Sequence, residues 1–221
     1  MITLALDAST YTGDVAVIVD DRVAAEQSTA MKGVHEERLM PAVAHALDAA
    51  SVDRRSIDRI VCGKGPGSFT SLRIAGAIAK GLASGLDKPL YAVPSMALVL
   101  GGAGLGAGRY VVAIDALRGE LYVGLYDVDP RRAITELEPA RLIAAVDVHR
   151  VATEFEARIV SPSRIEGAVV AMPRAAAVAR LEGLLEAFGP VNVDRWEPSY
   201  GRLAEAQVKW ESAHGRPLPA P

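Results

Sequence analysis

The chain has 221 residues, a formal net charge of −3, a pI near 5.8 and a half-hydrophobic composition in which aromatics make up only 5%. That is enough for one large domain or two small ones, with the aliphatic, alanine-rich core of a soluble α/β protein. The mild acidity argues against a chain that supplies the main phosphate-binding surface for a nucleic acid, and one cysteine with four scattered histidines leaves no disulfide or zinc framework.

Met1 leads straight into an apolar run without a signal-peptide pattern, so a cytoplasmic location is expected. Ile2 to Ala8 reads as a buried strand ending in Asp7-Ala8-Ser9-Thr10. The turn Tyr11-Thr12-Gly13 leads into a second strand over 14–20, and Asp20-Asp21 into a third over 22–28. A helix is expected over 35–50, with Leu39, Val43, Ala46 and Leu47 on one face and Pro41 imposing a kink or a late start. A fourth strand follows over 57–62.

The stretch Gly63 to Gly85 carries the most information. Gly63, Gly65, Pro66 and Gly67 form a loop whose backbone can approach something closely, and Ser68 or Thr70 can cap the helix that follows. Strand, glycine loop, helix is the order of a phosphate cradle. A Walker loop, however, ends Gly-Lys-Ser/Thr where this one reads Gly67-Ser68-Phe69-Thr70, and a dinucleotide fingerprint needs glycine at Ser68. A ligand-free turn is an equal alternative. Within the helix, Ile74, Ile78 and Leu82 form the expected core stripe. Two further rows, Ser71-Ala75-Ala79-Ala83 and Ala77-Gly81-Gly85, are built of small residues. Glycine in a helix costs about 1 kcal/mol relative to alanine, so Gly76, Gly81 and Gly85 point to close packing. A second small row points to a second partner helix, in this chain or another.

Leu90–Val93 reads as a fifth strand and 95–100 as a helix, before five glycines in the eight residues 101–108. No regular element is expected across that run, which marks a hinge between lobes 1–103 and 104–221. Beyond it, Ala113-Ile114-Asp115-Ala116, a glycine-containing turn and an apolar strand from Leu121 repeat the pattern of the N-terminal hairpin. Two hairpin-led halves point to a duplicated α/β unit, although any two hairpins share much of this pattern. Residues 157–160 read as a strand, Pro173 to Phe188 as one helix ended by Gly189-Pro190, and the stretch 195–221 carries Trp196, Tyr200 and Trp210 before closing in a loosely ordered Pro-rich tail.

Stand-alone catalysis finds little support. His35-Glu36-Glu37-Arg38-Leu39 begins like a zinc-protease HExxH helix, but Leu39 stands where the second histidine is needed. Asp7 and Asp115, each ending a strand, can hold a hydrated metal beside a phosphate; the favoured alternative is that each accepts N–H groups of its own turn. No Ser–His–Asp or Cys–His set assembles around Cys62, and Arg131-Arg132 reads as a solvated turn.

Leu4-Ala5-Leu6-Asp7-Ala8-Ser9-Thr10, His35 with Arg38-Leu39-Met40-Pro41, and above all Gly65-Pro66-Gly67-Ser68-Phe69-Thr70-Ser71-Leu72-Arg73-Ile74 with Ala79-Lys80-Gly81-Leu82 resemble the TsaB (YeaZ) family. Pro94-Ser95, the Asp115-Ala116 hairpin and Pro198-Ser199-Tyr200 extend the resemblance over nearly the whole chain, weakly between 130 and 172. Gly201-Arg202 departs from the leucine and arginine that normally follow the tyrosine. The resemblance implies the duplicated actin-like/Hsp70-like (ASKHA, ribonuclease H-like) α/β fold of two lobes. It also implies a non-catalytic, metal-free subunit that supports the TsaD enzyme in making threonylcarbamoyladenosine at position 37 of ANN-decoding tRNAs. TsaE is a further partner, tRNA is reached through the complex only, a homodimer is an option for the chain alone, and ATP or ADP is confined to the subunit junction.

By analogy the partner surface takes in His35, Arg38, Leu39, Ala42, Arg73, Ala77, Lys80 and Gly81, with Asp7, Ser9, Gly65, Gly67 and Ser68 as a vestigial phosphate loop. Two alternatives remain at this stage: an independent nucleotide-dependent phosphotransferase using Asp7 and the glycine loop, and a glycoprotease-type peptidase, against which Leu39 speaks.

Overall fold

The computed structural model describes residues 1–32, 37–201 and 214–215. The first sheet contains β1 (Ile2–Asp7), β2 (Thr12–Val19), β3 (Arg22–Ala30), β4 (Arg59–Gly63) and β5 (Leu90–Val93), in the order β3-β2-β1-β4-β5. The second contains β6 (Gly108–Asp115), β7 (Glu120–Val128), β8 (Ile134–Ala144), β9 (Arg158–Ser161) and β10 (Val169–Val170), in the order β8-β7-β6-β9-β10. Each is an antiparallel three-strand meander joined to two parallel strands, so one topology occurs twice. The turns repeat as well. Asp7 Oδ2 accepts the Ser9 N–H at 2.9 Å, and Asp115 Oδ1 accepts the Leu117 N–H at 2.8 Å. The Asp-Ala pair common to both hairpins is thus the same turn device, a carboxylate bonded to the N–H two residues on.

The helices are α1 (Leu39–Ala49), α2 (Phe69–Leu86), α3 (Ser95–Gly102), α4 (Val148–Glu154) and α5 (Glu182–Phe188), with a 3-10 segment Ala175–Arg180 before α5. Strand alternation sorts them into layers. Leu4 and Leu6 of β1 pack outward with α1 and α2, whereas Ala5 faces an inner core with α3, the 3-10 segment and α5. In β6, Val112 and Ile114 join that inner core, while Val111 and Ala113 face outward toward α4. The halves differ at one place. The long α2 connects β4 to β5, but only the loop 162–168 connects β9 to β10.

Several expectations are corrected. α1 starts at Leu39, because Pro41 fits a first turn whose N–H groups need no helical partner; the Glu37 carboxylate accepts the N–H groups of Leu39 and Met40. In α2 the core row is Ser71, Ala75, Ala79 and Ala83, and Ile74, Ile78 and Leu82 are only half-buried. Small side chains let that helix lie close on the sheet, which pushes the bulkier row to its flank. Gly101 and Gly102, expected to lie in no regular element, form the end of α3, where a Cβ would fall on Ala177 and on the Met172 carbonyl. The single helix expected from Pro173 is two pieces broken at Leu181. The Ala175 N–H donates to the buried Asp14 Oδ1 at 2.6 Å, which ties the first piece to β2. Strand β8 went unread because it is an exposed edge strand with a register shift and Pro139 inside it. The expected Pro-rich tail lies largely outside the described residues.

Candidate functional site

The glycine loop turns out to grip its own chain. A Cβ at Gly63 would fall on Asp7 Oδ1, and one at Gly67 on the Ser9 carbonyl oxygen. The Ser68 N–H donates to that same carbonyl at 2.7 Å. Asp7 is fully buried. Its Oδ2 accepts the Ser9 N–H and, at 2.8 Å, the Ser9 hydroxyl; its Oδ1 accepts the Ser95 hydroxyl at 2.5 Å. Ser95 Oγ in turn accepts the Gly65 N–H at 3.0 Å, so one network joins the end of β1 to the loop. Burial pushes the Asp7 carboxyl up, against the downward pull of the hydrogen bonds from Ser95 and Ser9. Asp7, Ser9, Gly65, Gly67 and Ser68 are therefore brought together, with Asp7 sealed beneath the others rather than open to a ligand.

A second partner for α2 comes from the far end of the chain. Residues 190–201 run back as a strap over the first lobe: the Val191 N–H donates to Leu90 at 2.8 Å and the Ser199 N–H to Lys64 at 2.6 Å. A Cβ on Gly76 would lie 2.9 Å from Pro198, with Trp196 beyond, and Lys80 Nζ donates to the Trp196 carbonyl at 3.1 Å. The Phe69 and Tyr200 rings lie 4.4 Å apart, and the Arg73 guanidinium sits 4.8 Å from the Phe69 centroid. Arg73 and Lys80 thus hold the strap. Gly201 explains its own departure from the family pattern, since its φ is +70° and a Cβ would strike the Tyr122 ring. The strap escaped the sequence reading because its contacts span more than a hundred residues; Gly76 itself was the available signal.

Among the described residues, an outward face of α1 and α2 remains uncovered. Ala77, Gly81, Ser84 and Gly85 are exposed, flanked by the half-buried Ile74, Ile78 and Leu82, and α1 adds Met40, Pro41, Ala44 and His45. Among the described residues, nothing lies within 4 Å of a Cβ built at Gly81 or Gly85. Leu39 and Ala42 point the other way, 0% and 6% exposed in the outer core of the first lobe. Arg38 is the exposed residue that precedes α1, and His35 lies outside the described residues.

Between the lobes is a cleft of about 730 Å³, lined by the β1–β2 turn (9–12), the loop and start of α2 (67–70), the β6–β7 turn (114–117), Tyr122, 162–163, Met172 and Tyr200. Both repeated turns meet there, and Asp115 lines it while Asp7 does not. Cys62 is buried, and burial pushes its thiol up, away from nucleophilic use. Among the described residues, no three His, Cys, Asp or Glu side chains gather as a metal site, and no helix is long and apolar enough to cross a membrane.

Two ribonuclease H-like lobes of one topology, facing each other across a cleft, define a protein of the duplicated actin-like/Hsp70-like α/β class. Comparison with known proteins narrows this. A model of the TsaD family, tRNA N6-adenosine threonylcarbamoyltransferase, matches residues 25–143. The tRNA threonylcarbamoyladenosine biosynthesis protein TsaB of Bacillus subtilis is 32% identical, over 95% of this chain and 98% of its own. TsaB of Escherichia coli is 36% identical over 57% of this chain and 55% of its own. The structure of YeaZ from Pseudomonas aeruginosa superposes with a TM-score of 0.75 at 30% identity, over 90% of this chain and 99% of that one. The chain belongs to the TsaB (YeaZ) family.

Proposed function

We propose that this chain is a non-catalytic subunit in threonylcarbamoyladenosine biosynthesis on tRNA, engaging a TsaD-type catalytic partner through the outward face of α1 and α2. The observation that carries this reading is the open row Ala77, Gly81, Gly85. A glycine inside a helix costs about 1 kcal/mol, and the strap accounts for Gly76 alone. Small residues on a helix let a second backbone approach closely, and the half-buried Ile74, Ile78 and Leu82 supply apolar area beside them. The biosynthetic role named for the relatives supports the same reading. In it, Arg38 borders the surface, and His35 is a further residue assigned to it by the family analogy alone. TsaE joins the assembly, tRNA is met through the complex, any ATP or ADP sits at the junction, and the chain works in the cytoplasm and pairs with itself when alone.

The phosphotransferase reading weakens at Asp7, which is sealed by Ser9, Ser95 and Gly63. Light scattering of the chain with the TsaD of its own organism tests the proposal. A mixed complex is expected, lost in Ala77→Arg and Gly81→Arg, which both have room for the side chain and keep the parent's melting temperature. No complex with the parent chain, together with ATP binding by the chain alone, would overturn it.

A further inference from the structure

We propose that the cleft between the lobes is a binding site for an organic amine: one ammonium group on an aromatic or aliphatic body, without phosphate. The inference is independent of any partner on α1 and α2. At about 730 Å³ the cleft has the size of a small-molecule site. Its walls are largely apolar and aromatic, with Phe69, Ile114, Leu117, Tyr122, Met172 and Tyr200 facing a floor of serine and threonine from the turns. Among the described residues the lining holds no Lys, Arg or His, and its one charged residue is Asp115.

Asp115 is exposed and commits Oδ1 to the Leu117 N–H, and no ion pair is formed with it among the described residues. A carboxylate at the mouth of an apolar cleft recognises an ammonium through a charge-assisted hydrogen bond. Three rings of this wall, those of Tyr11, Phe69 and Tyr200, already take cations of the chain itself, so the Asp115 carboxylate is what recognises the ammonium. Lys32 lies 4.4 Å from the Tyr11 centroid and Arg73 4.8 Å from that of Phe69. A phosphate fits the same place poorly. The Ser68 N–H that would greet it is bonded to the Ser9 carbonyl, whose oxygen stands where a Cβ on Gly67 would be and turns an acceptor toward the loop. Only the first turn of α2 favours an anion, so polyanions belong in the test.

The full chain is titrated by NMR or calorimetry with tyramine, tryptamine and hexylamine. Tyrosol and hexanol serve as the same bodies without the ammonium, and ATP as the polyanion. At least one amine is expected to saturate below about 1 mM, to shift the signals of Leu117, Tyr122 and Tyr200, and to bind about tenfold tighter than its alcohol. Asp115→Asn, which keeps the oxygen that accepts the Leu117 N–H, should bring the amine to the alcohol's level with an unchanged melting temperature. Ser163→Trp should block both. A lysine tripeptide in the same series separates the two sources of an ammonium, and the tighter binder of the two names the source. No saturating amine, an alcohol that binds as well, tighter binding of ATP, or an indifferent Asp115→Asn would each overturn the proposal.

Discussion

Gly67 and Gly81 stand on one continuous stretch of chain and carry opposite predictions. At Gly67 a methyl group has to displace the Ser9 backbone, so Gly67→Ala should cost about 2–3 kcal/mol, the overpacking range. At Gly81 the methyl meets nothing, so Gly81→Ala should stabilise the isolated chain by up to about 1 kcal/mol. Urea midpoints of the two variants decide both. Asp7 gives a pH prediction of definite sign. Its folded-state pKa is raised above the ordinary 3.8, so its contribution to stability is fully present below that value and is lost as pH rises through the folded pKa. Subtracting the pH–stability curve of Asp7→Asn should leave a difference that falls with rising pH from about 4 upward; a flat or rising difference would refute the burial argument.

At the scale of the element, α2 serves two masters. Its inner row of small residues packs on the first sheet, and its row at Gly76 and Lys80 packs on the strap, which leaves one row outward. Tyr200→Ala removes the contact with Phe69 and its Arg73 stack and should cost about 1 kcal/mol. Amide exchange should quicken over 196–200 and stay unchanged on the outward row. If exchange quickened equally along all of α2, the strap would be part of the helix's core rather than a cover on one row. The broken helix at 175–188 makes a related point. Pro173 at a first turn and Gly189-Pro190 at an end read as a single helix, yet the Asp14 carboxylate and the close passage at Gly101 fix its first turns as a tighter 3-10 segment.

For the whole molecule, the two lobes are joined by a few strong ties as well as by the shared inner core. Asp14 of β2, 2% exposed, accepts the Ala175 N–H and the Ser28 hydroxyl, and Arg174 pairs with Glu26. Removing that acceptor strands a buried N–H, so Asp14→Ala should cost about 2–4 kcal/mol. Scanning calorimetry should show the single unfolding transition broadening or splitting as the lobes uncouple. Arg59 of β4 holds Glu182 of α5 through two bonds of 2.8 and 2.9 Å and draws the Glu182 carboxyl down. That tie is present above the usual glutamate pKa of 4.5 and fades as pH falls below it. Glu182 is half exposed, so Glu182→Gln should change stability at neutral pH by less than about 1 kcal/mol.

Strands, hairpins and the helix after the glycine loop were legible in the sequence because each rests on local periodicity and turn chemistry: Asp-Ala before a turn, apolar alternation, small residues every fourth position. The repeated hairpin only pointed to a duplicated unit; the two-lobe architecture came with the family resemblance, carried above all by the Gly65–Leu82 block. The sequence also offered both readings of the glycine loop without ranking them. Tertiary structure decided for the chain's own backbone, because what fills the space beside Gly67 is Ser9 from another strand and what covers Gly76 is Pro198 from the far end. It also turned Leu39 and Ala42 inward and left Gly81 clear of every other described residue. Such contacts are set by distances between residues remote in sequence, which no local pattern encodes.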